Sequence, residues 1–244
     1  MNHYLDLSSE AFPLWVKEFK PWEQGWFPIL LVKEAQGWEE NSLLDIIHSY
    51  VDTSLESIVI SENRLLLLVS NKTFQFDPTH TNEITEFAFG LHDMLQTEWH
   101  EEIKIGIDQP APQLGELLHR SRQLLEDGEW VRWMWDEIDI FSPWDHFLER
   151  LISLIPVDSL ENLLEQQWSL DPEIEETVRI FLAENLNMSE TARRLFIHRN
   201  TLQYRIDKVK QITGLDVKHF ENAVLYKVKS LLLKRIGQNV QKHE

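Results

Sequence analysis

Residues 187–215 read NMSETARRLFIHRNTLQYRIDKVKQITGL. In this stretch Arg193, Arg194, Arg199, Arg205, Lys208 and Lys210 stand against only Glu190 and Asp207, within a chain whose formal charge is −18. The spacing predicts two helices joined by a tight turn. Ser189 is placed to N-cap the first, Glu190 to Leu195, and the acid at 190 suits a first turn. Phe196-Ile197-His198 is the turn. The second helix runs from about Arg199 to Thr213 and is closed by Gly214 in the left-handed region. Upstream, Asp171-Pro172 opens an amphipathic helix that reaches Leu186, with proline at the first helical position and Ile174, Val178, Phe181 and Leu182 turned inward. Two helices across a turn of about three residues, braced by a third, make a helix-turn-helix.

At 100° per residue the helix from Arg199 sorts into two faces. Leu202, Ile206 and Val209 fall together and require burial. Asn200, Tyr204 and Lys208 lie opposite, flanked by Gln203 and Thr201. Amide, phenol and cation are poor core material and good material for reading base edges, where arginine pairs with guanine and asparagine or glutamine with adenine. Recognition helices read with their N-terminal residues. The expected base contacts are therefore Arg199, Asn200, Gln203 and Tyr204. Arg194, Thr201, Arg205 and Lys208 are expected on phosphates, where they position the module without reading sequence.

Charge changes sign along the chain. Residues 1–185 hold 11 Lys/Arg and 36 Asp/Glu, a net of −25, whereas residues 186–236 hold 11 and 4, a net of +7. An acidic body is repelled by nucleic acid and a cationic module is drawn to it, so the reversal marks a boundary between units with different partners. The chain has no cysteine, which removes disulfides and thiol chemistry. No basic-then-apolar leader opens it, and no apolar run approaches the roughly 20 residues of a membrane helix. A cytoplasmic protein without membrane contact is expected.

N-terminal to the cationic module the pattern is mixed. Residues 1–24 are irregular and aromatic. Trp26 to Val32 reads as a buried strand, and Glu39 to Val51 as a helix with Leu43, Leu44, Ile47 and Tyr50 on one face. Residues 57–60 and 64–70 read as a hairpin. Asn82 to Trp99 is a second helix, Glu102 to Ile107 a strand, and Leu114 to Leu125 a third helix that Gly128 ends. The order β-α-β-β-α-β-α over 25–128 is the split βαβ, or ferredoxin-like, pattern. Residues 129–170 read as a helical connector, 171–236 as the helix-turn-helix domain and 237–244 as a polar tail. The fold class is thus α+β: a ferredoxin-like domain followed by an all-α one. Trp130, Trp133 and Trp135 are read as packing between the two domains, ahead of a ligand pocket or a dimer seam.

The series Ser189-Glu190-Thr191-Ala192-Arg193-Arg194-Leu195, His198-Arg199-Asn200-Thr201-Leu202, Tyr204-Arg205-Ile206 and Thr213-Gly214-Leu215 resembles the C-terminal helix-turn-helix of the PucR/CdaR family of purine-catabolism and sugar-diacid regulators. It is also similar to the DNA-binding end of Fis-type proteins, which supports Arg199 and Asn200 on bases and Thr201 on phosphate. The family often carries a degenerate GGDEF-like domain before this module, and the resemblance implies that 25–128 is one. A working diguanylate cyclase needs glycines and acids at the hairpin. Here the turn is Ser61-Glu62-Asn63-Arg64, and the first strand ends in Lys33 without an aspartate. The domain is therefore expected to be a scaffold or sensor, not an enzyme. The resemblance implies a transcriptional regulator with double-stranded DNA as partner. A homodimer is expected because one such module buries little surface and because Val224, Leu225, Val228, Leu231 and Leu232 make the last helix apolar. It leaves room for a small-molecule effector of unspecified chemistry.

The competing reading is a nucleotide-binding or nucleotide-processing protein built on the GGDEF-like domain; a third is a protein-interaction adaptor whose module has lost DNA. No metal or cofactor is expected. His92 and His100 are eight apart and His3 is alone, which is not ligand spacing, and no P-loop, G-x-S-x-G or G-x-G-x-x-G occurs.

Overall fold

The computed structural model describes residues 25–241 apart from 36, 52, 78, 100, 135–136, 158 and 160–167. The irregular segment 1–24 and Trp135 lie outside the described residues, as does the Trp133 side chain. The chain divides into two compact units, 1–150 and 151–244.

The first unit is built on β1 (Trp26–Lys33), α1 (Glu40–Tyr50), β2 (Leu55–Ser61), β3 (Arg64–Ser70), α2 (Thr81–Glu98), β4 (Ile103–Ile107) and α3 (Leu114–Trp130). With a later two-residue strand, β5 (Ile140–Phe141), the strands form one sheet in the order β2-β3-β1-β4-β5, antiparallel except at β4–β5. Every residue of β1 is buried, which its uninterrupted apolar run requires: a strand covered on both faces does not alternate. Phe27, Ile29 and Leu31 meet Leu43 and Ile47 of α1 and Ile84, Phe87 and Leu91 of α2 on one face. Trp26, Leu66 and Leu68 meet Leu117 of α3 in a second cluster. Pro28 is tolerated in this central strand because its missing N–H falls on the β4 side, where β4 has ended: the Pro28 carbonyl accepts from the N–H of Asp108 at 3.3 Å.

Two expectations fail here. Gly128 does not end α3, which continues to Trp130. A Cβ at 128 would lie 2.8 Å from Leu30 Cδ2, so this glycine lets the helix pass close over β1 instead of capping it. The stretch expected as a helical connector also adds structure to the first unit. A 3₁₀ turn (Val131–Met134) leads to the two-residue strand β5 (Ile140–Phe141), parallel to β4, and α4 (Phe147–Ser153) then spans the boundary at residue 150. Trp130 is buried within this unit, edge-on to Phe141 at 5.7 Å between ring centroids.

The hairpin turn is Glu62-Asn63, and neither residue needs a positive φ. Its carbonyls are already engaged: Asn63 accepts from the Lys33 N–H at 3.1 Å and Glu62 from the Gly37 N–H at 2.7 Å.

The second unit holds α5 (Pro172–Ala183), α6 (Met188–Arg194), α7 (Arg199–Thr213) and α8 (Phe220–Gln241). Its core joins Ile174, Val178 and Phe181 of α5, Ala192 of α6, and Leu202, Ile206 and Val209 of α7, with Val217 and Tyr226. Among the described residues no helix is long and apolar enough to cross a membrane.

Candidate nucleic-acid interface

Helices α5, α6 and α7 are fixed by their ends. Asn187, not Ser189, caps α6: its Oδ1 accepts from the N–H groups of Ser189 at 3.0 Å and Glu190 at 3.2 Å. The helix accordingly starts at Met188. The turn that follows holds Phe196 at φ 54°, a left-handed position that glycine usually fills. Phe196 is 95% exposed, so no packing of the ring explains the choice of residue. His198 then caps α7, its Nδ1 accepting from the Asn200 N–H at 3.2 Å. At the far end Gly214 adopts φ 76° and donates to the Lys210 carbonyl at 2.9 Å.

Between these caps the two faces separate as their angles require. Leu202, Ile206 and Val209 are buried. Arg199, Asn200, Thr201 and Tyr204 are exposed, with Tyr204 at 67%. These four occupy the first two turns of α7, on the side away from the core.

The remaining members of the expected set are already partnered. The Gln203 amide donates to Asp207 Oδ1 at 2.8 Å, and this bond, followed by that from Lys218, holds the Asp207 carboxyl below the usual carboxylate range. Lys208 Nζ reaches Asp171 Oδ2 at 3.0 Å, a bond that raises the pKa of the ammonium. Arg194 Nη1 meets Glu184 Oε1 at 2.6 Å. Arg205 is the exception in kind. Its guanidinium donates to Thr177 Oγ1 at 3.1 Å and to the Glu173 carboxylate, and its side chain is only 14% exposed. It ties α7 to α5. The three acids that hold these cations, Asp171, Glu173 and Glu184, belong to or flank α5, and sequence reasoning missed them. Pairs 10, 32 and 37 residues apart leave no periodic signal.

Among the described residues no group of three or more His, Asp or Glu side chains is arranged to hold a metal.

Residues 175–231 match the family model described as the PucR C-terminal helix-turn-helix domain. The second unit carries a PucR-type helix-turn-helix. The match covers this module and not the rest of the chain. It is 39% identical over 72 residues to the uncharacterized protein YxkF of Bacillus subtilis (strain 168), covering 28% of this chain and 24% of that one. It is 32% identical over 83 residues to the purine catabolism regulatory protein of the same organism, covering 31% and 15%. It is 39% identical over 49 residues to the carbohydrate diacid regulator of Escherichia coli (strain K12), covering 20% and 13%. The matches thus span about a quarter or less of these relatives' length. The kinship is that of the PucR-type module, and the first unit lies outside the matched family model.

Proposed function

We propose that the chain is a sequence-specific, DNA-binding transcriptional regulator of the PucR/CdaR type. The observation that carries this reading is α7 itself: a capped helix with Leu202, Ile206 and Val209 buried and Arg199, Asn200, Thr201 and Tyr204 exposed. In the proposed complex α7 enters the major groove. Arg199, Asn200 and Tyr204 read base edges, joined by Gln203 once its amide leaves Asp207. Arg194, Thr201 and Lys208 take phosphates. Arg205, expected on a phosphate from its angle, is reassigned to holding α7 against α5, because its guanidinium is committed to Thr177 and Glu173.

The first unit is proposed to be a ferredoxin-like, degenerate GGDEF-like scaffold. Its support is the β2-β3-β1-β4 antiparallel order and a glycine-free hairpin turn whose carbonyls are bonded to the end of β1 at Lys33 and to Gly37 beyond it. A turn without glycine does not offer the close backbone approach a nucleotide needs, which sets the nucleotide-processing reading second. Incubation with GTP and Mg²⁺ should yield no cyclic dinucleotide, and any such product would reverse that order.

The test of the main reading is a titration of duplexes, one enriched by selection on the native protein and one random. Arg199→Ala and Asn200→Ala should each cost about 1–3 kcal/mol on the selected duplex and little on the random one. Lys208→Ala should weaken both alike and lower the salt slope by about one unit. If Asn200→Ala and Lys208→Ala behave identically on both duplexes, the recognition face is misplaced.

A further inference from the structure

Both cations assigned above to phosphates, Lys208 and Arg194, are paired in the free protein with acids at the two ends of α5. Asp171 is the N-cap residue of α5, where a carboxylate ordinarily accepts a backbone N–H. It makes no such bond. Its Oδ2 lies instead 3.0 Å from Lys208 Nζ on α7. Glu184 is the C-cap residue of the same helix, where a negative charge faces the negative end of the helix dipole and is disfavoured. It meets Arg194 at 2.6 Å. The helix dipole favours an acid at 171 but does not direct its carboxylate to Lys208, and it disfavours one at 184; the cations of α6 and α7 account for both contacts.

The Lys208–Asp171 pair is also open to exchange. Its side chains are 35% and 68% exposed, and a solvent-exposed pair is weak enough for a phosphate to displace. Resting on the DNA-binding reading above, we infer that Asp171 sets the affinity of the module. Its carboxylate occupies, on Lys208, the place a DNA phosphate takes in the complex. Binding then exchanges one anion for another, and the displaced carboxylate is left beside the duplex. The module is held to weak non-specific binding, and discrimination falls to Arg199 and Asn200, whose side chains are exposed.

The test uses the full chain and a random-sequence duplex, since non-specific affinity is carried by phosphate contacts. Asp171→Asn keeps the size of the side chain and its capacity to cap α5. It should tighten binding roughly two- to fivefold. In a Lys208→Ala background the same substitution should give a clearly smaller gain, because its partner is gone. Unchanged or weaker binding by Asp171→Asn, while the native chain binds, overturns this inference alone. So does an equal gain with and without Lys208, which would be bulk charge and not a shared site. A native chain that binds no duplex overturns the DNA-binding reading and this inference together.

Discussion

Asp127 on α3 is 3% exposed, with its carboxylate accepting from Trp130 Nε1 and paired with Arg150 Nε, each at 3.2 Å. Burial pushes this carboxyl up to about 6, against the opposing pull of Arg150 and the Trp130 bond. The sign follows from linkage. A carboxyl raised from 3.8 to about 6 binds its proton more tightly when folded, so it penalises the native state above pH 6. The penalty fades as pH falls through 6 toward 4 and is worth up to roughly 3 kcal/mol. Asp127→Asn should remove this contribution. Urea midpoints at pH 5 and pH 7 should therefore lie closer together in the variant than in the native chain, and an unchanged gap would refute the assignment. At the same scale, cap chemistry was only half legible. Ser189 and Asn187 are both good caps, and the choice fell to the one whose oxygen reaches two N–H groups.

Among elements, α7 shows how one helix serves two masters. Its core face is fixed by three residues, and Leu202, fully buried in the centre of the module, holds it to α5 and α6. Leu202→Ala should cost about 2–5 kcal/mol, exposing the amides of α5 to α7 to hydrogen exchange and abolishing duplex binding. Lys208→Ala, on the opposite side, should leave the exchange rates unchanged while weakening binding. Equal protection in the Leu202→Ala and native chains would contradict the packing described. The first two helices of the first unit were legible from their periodicity to within a residue at each end, whereas α3 runs five residues past its expected end at Leu125. Strand β5 was not, because two residues carry no alternation, and its place is decided by pairing with β4.

For the whole molecule, a net of +7 over residues 186–236 and −25 over 1–185 means that two-fold DNA recognition must bring two cationic modules to the duplex while keeping two acidic bodies off it. A homodimer is proposed. Of the apolar residues that motivate it, Leu231 and Leu232 are buried within the chain, whereas Val224 and Leu225 are 46% and 42% exposed, near the 74% exposed Phe220. The dimer should therefore use the N-terminal half of α8. Light scattering at micromolar concentration should give twice the 29.0 kDa chain mass, and Val224→Glu should lower it toward one chain and weaken binding to a two-fold site. A native chain that is strictly monomeric would exclude this arrangement.

The helix-turn-helix is legible in the residues alone. Caps, turn and faces lie within about 45 contiguous residues, and local periodicity and propensity are short-range rules. The same residues show which side of α7 is free, since Leu202, Ile206 and Val209 leave only one. What Gly128 is for emerges from packing, because a helix end and a close approach to β1 use the same residue for different reasons. Packing alone makes Arg205 a tie to α5, and sets Lys208 and Arg194 on Asp171 and Glu184. Those partners are brought together by helix packing across tens of residues, and electrostatics between distant positions has no period to read.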